Sequence, residues 1–220
     1  MRGSYKPPSL VHADVRNYGD AQFREEQQVD SANVVHLAEI TLSELVVGGQ
    51  VEDPDFISRV DLLTSLGYTV LISDYVRLFR LRSWLRQYTN NQIGIALSSL
   101  DFNYLFDEKY YDGIEGGILE AMGKLFPDNT HVYVYPAIIN GQYVDLNSVS
   151  IPSQLRLMLD YLIANDKFVP FKQYNIQNLH ISARDVASKI ASGDSDWESC
   201  VLPEIRDAIK SRGLFGYSKK

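Results

Sequence analysis

Between residues 53 and 139 the apolar positions alternate between two kinds of spacing. Helical spacing marks DPDFISRVDLLTSLG, VRLFRLRSWLRQYT and GGILEAMGKLF, and continuous apolar runs mark YTVLISDY, QIGIALSSL and THVYVYPAI. Runs of the second kind are typical of strands buried on both faces. Helices and strands in alternation with short connections indicate right-handed crossovers. We therefore predict an α/β fold with a Rossmann-like parallel sheet flanked by helices.

The segments on either side of this core follow other patterns. The start of the chain has no sustained apolar period and is extended around Pro7 and Pro8, and a short helix with Thr41 as its N-cap and Glu44 at the capping-box position follows. Asn140-Gly141 is a hairpin-type turn signal. We divide the chain into an N-terminal arm and short helix (1–50), a Rossmann-like core (51–150) and a helical C-terminal segment packing on it (151–220). We expect one compact unit that belongs to a larger protein.

Composition and charge change the picture by excluding classes of protein. The net charge is −7 with the basic residues spread out, which argues against nucleic-acid and membrane partners. Cys200 is the only cysteine, so a disulfide within the chain is excluded, and the four histidines share no metal-ligand spacing. The sequence contains no signal-peptide core and no run of about 20 apolar residues. We expect a cytoplasmic protein without a metal site.

The first candidate binding segment is SDYVRLFR, directly after the first core strand. Ligands of open parallel sheets bind outside the carboxyl ends of the strands. Ser73 or Asp74 would cap the next helix, Tyr75 lies in the turn, and Arg77 and Arg80 are three residues apart on one flank. A helix N-terminus beside guanidinium groups suits a phosphate or carboxylate, although Asp74 would compete for the same donors. A capped helix with solvated arginines is the open alternative.

The second candidate segment is YYDGIEGGILE, where Gly116 and Gly117 open a helix. Glycines at this place allow backbone N–H groups to approach an anion closely, and Glu120 is an acid or base candidate. The spacing matches neither a dinucleotide fingerprint nor a P-loop. Simple turn glycines are the alternative.

The third candidate segment is NLHISARDVASKIASGD, residues 178–194. It predicts a strand end, Ser182 as N-cap with Asp185 at the capping-box position, and a helix ended by Gly193. His180 lies at the predicted strand end, and Arg184 is the cation of the first helical turn. The three segments together predict helix N-termini as the donors of an anion site.

The segment that begins with this motif, residues 180–217, resembles the closing segment of nucleotidylyltransferases, the superfamily of nicotinamide and nicotinate mononucleotide adenylyltransferases. That family has a strand ending in Ile-Ser-x-Thr and then a helix whose early Arg contacts the triphosphate. Ile181 and Ser182 match it, but Arg184 stands at the Thr position and Ala187 at the Arg position. The family's His-x-Gly-His is replaced by ISDYVR. The resemblance therefore implies a lineage with a degenerate catalytic motif.

Over about residues 20–217 the chain is similar to a poorly characterised bacterial family of larger proteins. The phrases DLLTSLGYTVLISDY, EKYYDGIEGGILEAMGKLF, VYVYP and LFGY carry this resemblance. Members have automatic labels such as nicotinamide-nucleotide adenylyltransferase or TonB-dependent receptor. The second label does not fit runs that belong to a parallel sheet. This resemblance implies a fold and a lineage more than an activity.

Two functions remain open from the sequence. The chain is a domain binding a phosphorylated, nucleotide-like small molecule, or a non-catalytic assembly or interaction domain. In the second case the arm and the aromatic Phe215 and Tyr217 would pack on a partner or on a second copy. An active nucleotidylyltransferase-like enzyme would need its histidines from elsewhere in a larger protein. The cofactor stays open, with a nucleotide and Mg²⁺ as the candidate.

Overall fold

A computed structural model describes residues 1–42, 46, 47, 50, 51, 53–127 and 129–218. Its helices are α1 (Leu10–Gln27), α2 (Asp53–Ser65), α3 (Leu78–Leu85), α4 (Ser99–Phe102), α5 (Gly117–Leu125), α6 (Arg156–Ala164), α7 (Ala183–Ser192) and α8 (Pro203–Arg212). Its strands are β1 (Leu37–Thr41), β2 (Val46–Val47), β3 (Gln50–Val51), β4 (Thr69–Ser73), β5 (Ile93–Ser98), β6 (Thr130–Tyr135), β7 (Ala137–Ile139), β8 (Gln142–Val144) and β9 (Phe168–Pro170). The fold is mixed α/β with small parallel sheets.

The chain divides into two compact units, named here for their place along the sequence. The terminal unit consists of Met1–Asn17, Ala32–Asp74 and Asn175–Lys220, and the central unit of Tyr18–Ser31 and Tyr75–Tyr174. Among the described helices, none combines the length and the apolar character that crossing a membrane requires.

The terminal unit is built around two parallel strands. β1 and β4 pair with Ile40 opposite Ile72, and one face of this pair is packed by Tyr5, Ala38, Ile40, Leu63 and Tyr68. A second apolar cluster surrounds the buried Trp197, and its members from the last two helices include Val186, Ile190, Ile205 and Ile209. The unit therefore joins the first and last segments of the chain in its cores.

The central unit contains the sheet β5–β6–β9, in which both pairs of strands are parallel. Phe23 of α1 lies over Gly94 of β5, where a Cβ atom would stand 2.7 Å from the ring carbon Cδ2 of Phe23. Only glycine lets the helix approach the strand this closely. The hairpin β7–β8 is closed by Asn140 and Gly141 with φ of 51° and 77°, which confirms the predicted turn.

The predicted core helices and strands form, but their pairing differs from the prediction. β4 pairs with β1, whereas β5 and β6 pair with each other and with β9, so the three predicted strands lie in two separate small sheets. The sequence did not reveal β1 or β9, which supply these neighbours. The prediction that β4 is buried on both faces was wrong, because Ile72 is 45% exposed.

The prediction for the N-terminal arm was also wrong in its elements. Residues 10–27 form the long helix α1, Thr41 ends a strand, and Val46–Val47 pairs with Gln50–Val51 instead of forming a helix. Glu44 lies outside the described residues. The arm before α1 is packed, since Tyr5 is fully buried and its hydroxyl donates to the Met1 carbonyl at 2.8 Å.

Candidate functional site

Helix α3 of the central unit carries two of the predicted binding residues. Leu78, Phe79 and Leu81 are buried and fix the helix in the unit, where it packs against α5. The predicted caps were wrong: Arg77 occupies the N-cap position, and its side chain makes no capping hydrogen bond. Ser73 instead donates its hydroxyl to Glu39 Oε1 at 2.5 Å, within the terminal unit.

Arg77 is held by backbone carbonyl groups. Its Nε donates to the carbonyl of Tyr110 at 2.9 Å and its Nη2 to the carbonyl of Asp112 at 2.7 Å. The Tyr110 hydroxyl in turn donates to the carbonyl of Val76. Arg77 therefore fastens the 110–112 loop to the start of α3, and these donors are already in use.

Arg80 is exposed and differs from Arg77 in its surroundings. Its guanidinium carbon lies 5.9 Å from the ring centroid of Phe79. Within the described part of the chain this guanidinium has no ion-pair or hydrogen-bond partner. Arg80 is therefore a cation available to a ligand.

Three aromatic rings near α3 contact one another and are called the aromatic row. The ring centroids of Tyr75 and Trp84 are 6.1 Å apart, and those of Trp84 and Tyr88 are 5.0 Å apart. Tyr88 is 73% exposed and Trp84 is only partly buried. Arg80 stands one helical turn before Trp84, which makes the two residues neighbours on the helix surface.

The start of α5 contains its own carboxylate. Gly116 is the N-cap, Gly117 has a φ of 54°, and the N–H of Gly116 donates to Glu120 Oε2 at 2.9 Å. Lys124 donates to the other oxygen of Glu120 at 2.5 Å. The hydrogen bond from Lys124, followed by that from Gly116, lowers the pKa of Glu120. The carboxylate is thereby kept ionised and occupies the place proposed for an anion.

The start of α7 in the terminal unit has the predicted cap, but the predicted strand end before it is wrong, because residues 171–182 contain no strand and Ile176–Asn178 is a short 3-10 helix. Ser182 is the N-cap and its Oγ accepts from the N–H of Asp185 at 3.5 Å, and Gly193 ends the helix with a φ of 73°. His180 and Arg184 are exposed. Within the described residues the Arg184 guanidinium has no ion-pair partner, so its role in binding stays a prediction.

The ten predicted binding residues divide between the two units. Asp74 is exposed at the end of a terminal-unit segment, and this unit also contains His180, Ser182 and Arg184. The central unit contains Tyr75, Arg77, Arg80, Gly116, Gly117 and Glu120. Of these, Tyr75 and Arg80 belong to the region around Trp84.

Trp84 and Tyr88 were not among the predicted binding residues. The available signal was their i, i+4 spacing in a helix with four arginines, but the same spacing is typical of a buried apolar face. Glu39 was not predicted either; it is a carboxylate only 3% exposed on β1, and it is bonded to Arg2 Nε at 2.5 Å and to Arg2 Nη2 at 3.1 Å. Arg2 lies 37 residues away in the sequence, so no local pattern pointed to the pair.

The residues proposed as assembly contacts are used within the terminal unit. Phe215 is 5% exposed in the cluster around Trp197, and Tyr217 packs edge-on against Trp197 with ring centroids 6.0 Å apart. Tyr5 of the arm is fully buried. These side chains are thus occupied by the chain itself.

Comparison with known proteins adds no identity to this geometry. No model of a protein family matches the chain, and no curated protein matches it at a significant level. Among the described residues, no group of three or more His, Cys, Asp or Glu side chains is arranged to hold a metal ion.

Proposed function

We propose that the chain is a Rossmann-like domain that binds a phosphorylated, nucleotide-like small molecule at the aromatic row around α3. The observation that carries this proposal is a half-buried Trp84 between Tyr75 and Tyr88, one helical turn from the exposed Arg80. The row offers aromatic faces and the arginine offers a cation. A nucleotide combines a planar ring with a phosphate and matches both.

The ring of such a ligand would stack on Trp84. Stacking of a base on an aromatic side chain contributes about 1–3 kcal/mol and depends little on which base is present. Tyr88 is mostly exposed and lies beside Trp84, so it extends the same surface. The row therefore accounts for affinity towards a planar ring without selecting one base.

The phosphate of the ligand would pair with Arg80. A guanidinium forms a two-pronged hydrogen-bonded pair with a phosphate, which gives orientation as well as affinity. Arg77 lies at the start of the same helix, but its Nε and Nη2 already bind the carbonyls of Tyr110 and Asp112. Arg80 is therefore the phosphate contact in this proposal, and Arg77 is a positioning residue.

Tryptophan fluorescence tests the proposal directly. Trp84 and Trp197 are the only tryptophans, and Trp197 is 1% exposed, so a dissolved ligand quenches Trp84. We expect adenosine monophosphate to quench the fluorescence of Trp84 in a saturable manner. Adenosine lacks the phosphate and ribose 5-phosphate lacks the planar ring, so each should bind at least about tenfold more weakly. Titrations with Mg²⁺ and with a chelator show whether the metal belongs to the ligand.

Two substitutions separate the parts of the proposed site. Arg80→Ala should weaken adenosine monophosphate about tenfold and leave adenosine unchanged. Arg156→Ala, which removes an exposed arginine of α6 in the same unit, is the matched control and should change neither. If adenosine monophosphate gives no saturable quenching at millimolar concentration, or if both variants behave alike, the proposal is wrong.

A second candidate function is assembly, and a different surface favours it. Leu157 is 81% exposed and Tyr161 is 65% exposed, and they are one turn apart on α6. Apolar side chains exposed together on a helix are typical of contact surfaces. A concentration-dependent mass in light scattering that Leu157→Ser abolishes would support assembly, and a monomer at all concentrations would exclude self-assembly.

A further inference from the structure

The opposite face of α3 carries a buried arginine. Arg82 is 7% exposed, and its Nε donates to Thr130 Oγ1 at 3.2 Å. Thr130 is itself fully buried. Residues two positions apart lie about 200° apart around a helix, so Arg82 does not face the surface that carries Arg80 and Trp84.

Arg86 lies one turn after Arg82, and its guanidinium forms hydrogen bonds with two loops of the central unit. Its Nη1 donates to the carbonyls of Thr89 and Asn91, both at 2.9 Å, and its Nη2 donates to Asn129 Oδ1 at 2.7 Å. Its Nε is buried and has no hydrogen-bond partner. The loops therefore hold Arg86 in place and leave one of its donors unused.

The two guanidinium groups form a like-charged pair, called the arginine pair. Burial, followed by the charge of Arg86, lowers the pKa of Arg82, but arginine stays charged at any pH a protein experiences. Within the described residues no carboxylate pairs with either side chain. A buried charge is strongly unfavourable until an opposite charge and hydrogen bonds compensate it.

We propose that the arginine pair is a second binding site, separate from the aromatic row, for an oxyanion of phosphate type. The Nη groups of Arg82 are the donors that the protein's own hydrogen bonds leave open, and the guanidinium of Arg86, one helical turn away, adds a second positive charge. The hydroxyl of Thr130 accepts from Arg82 Nε and holds the guanidinium in place. Guanidinium forks match the oxygens of phosphate, and a single carboxylate offers fewer acceptors.

The probe is inorganic phosphate added to the intact chain, compared with sodium chloride at equal ionic strength. We expect phosphate to raise the melting temperature beyond the chloride control, because an anion that binds only the folded state stabilises it. Arg82→Met keeps the volume of the stem and removes the charge. It should weaken phosphate binding at least about tenfold in calorimetry. In phosphate-free buffer the melting temperature of Arg82→Met should be no lower than that of the parent chain, because the substitution removes a buried charge that has no counter-ion.

Two further variants make the outcome decisive. Arg80→Ala should leave the phosphate response intact, because the aromatic row is a different site. Asp128 precedes Asn129 in the sequence and lies outside the described residues. The variant Asp128→Asn asks whether this carboxylate is the counter-ion of the arginine pair. We expect it to have the melting temperature of the parent chain. The proposal is overturned if phosphate acts no better than chloride. It is also overturned if Arg80→Ala removes the response while Arg82→Met keeps it, or if Arg82→Met and Asp128→Asn both lower the melting temperature in phosphate-free buffer.

Discussion

The two units treat buried charge in opposite ways. In the terminal unit the Glu39 carboxylate is 3% exposed, accepts two hydrogen bonds from Arg2 and one from Ser73, and thus has its counter-charge within the chain. In the central unit the similarly buried Arg82 has a hydroxyl and a second arginine as neighbours. The charge of Glu39 is compensated within the chain, whereas Arg82 has no carboxylate partner among the described residues, and this difference is the basis of the proposed anion site.

His12 shows a third way of handling an ionisable group. Its Nδ1 accepts from the N–H of Ser9 at 2.9 Å, and its ring lies 4.8 Å from that of Tyr5. Burial lowers the pKa of His12 from 6.5 to about 4, so the terminal unit keeps this imidazole neutral. Arginine has no such route, and Arg82 keeps its charge at any pH a protein experiences.

The largest expected effect comes from breaking the terminal-unit ion pair. Arg2→Ala leaves Glu39 buried without its counter-charge and should lower the free energy of unfolding by about 3 kcal/mol. Urea denaturation followed by circular dichroism measures this loss. The double variant Arg2→Met/Glu39→Met removes both charges and should recover most of it, and a double variant as unstable as Arg2→Ala would contradict the pairing argument.

A smaller effect is expected from acidification. The unfolded chain protonates His12 near pH 6.5 and the folded chain near pH 4, so stability is complete above pH 6.5 and falls between these values by roughly 2–3 kcal/mol. Denaturation midpoints measured from pH 7 to pH 4 report the slope. His12→Gln keeps an acceptor for the Ser9 N–H without titrating, and it should flatten that part of the curve.

The smallest effect is expected at the start of α7. Ser182→Ala removes a cap whose hydrogen bond is 3.5 Å long, and it should cost about 0.5–1 kcal/mol. Ligand binding at the central unit should be unchanged in this variant. A loss of adenosine monophosphate binding without a loss of stability would instead give Ser182 the ligand-contact role that the nucleotidylyltransferase resemblance implies.

Local periodicity was enough to predict most of the elements but not their neighbours. Helices α2, α3 and α5 to α8 and strands β4 to β6 follow regular apolar spacing, and they form. Helix α1 was missed because its apolar residues do not repeat at a regular spacing and several of its contacts are polar: Gln22 donates to the carbonyl of Pro170 at 3.0 Å, and Tyr133 donates to Glu26 at 3.0 Å. Strand β1 was missed because the buried Glu39 interrupts its apolar run.

The candidate site was only partly predictable for a related reason. The four arginines of VRLFRLRSWLRQYT are visible in the sequence, but their roles depend on distant loops. The carbonyl of Tyr110 engages Arg77, and Asn129 engages Arg86, at separations of 33 and 43 residues. Periodicity along one helix does not report such contacts. It therefore singled out Arg77 and Arg80 as candidates and left Arg82 unnoticed.

Calorimetric titration of the intact chain tests the central claim, that the cations of α3 are sites for phosphorylated ligands. The account predicts saturable binding of both adenosine monophosphate and inorganic phosphate, with Arg80→Ala weakening the nucleotide at the aromatic row and Arg82→Met weakening phosphate at the arginine pair. Each substitution should change the affinity at its own site about tenfold. If neither ligand releases or absorbs heat beyond dilution at millimolar concentration, or if neither substitution changes an affinity, the account is contradicted.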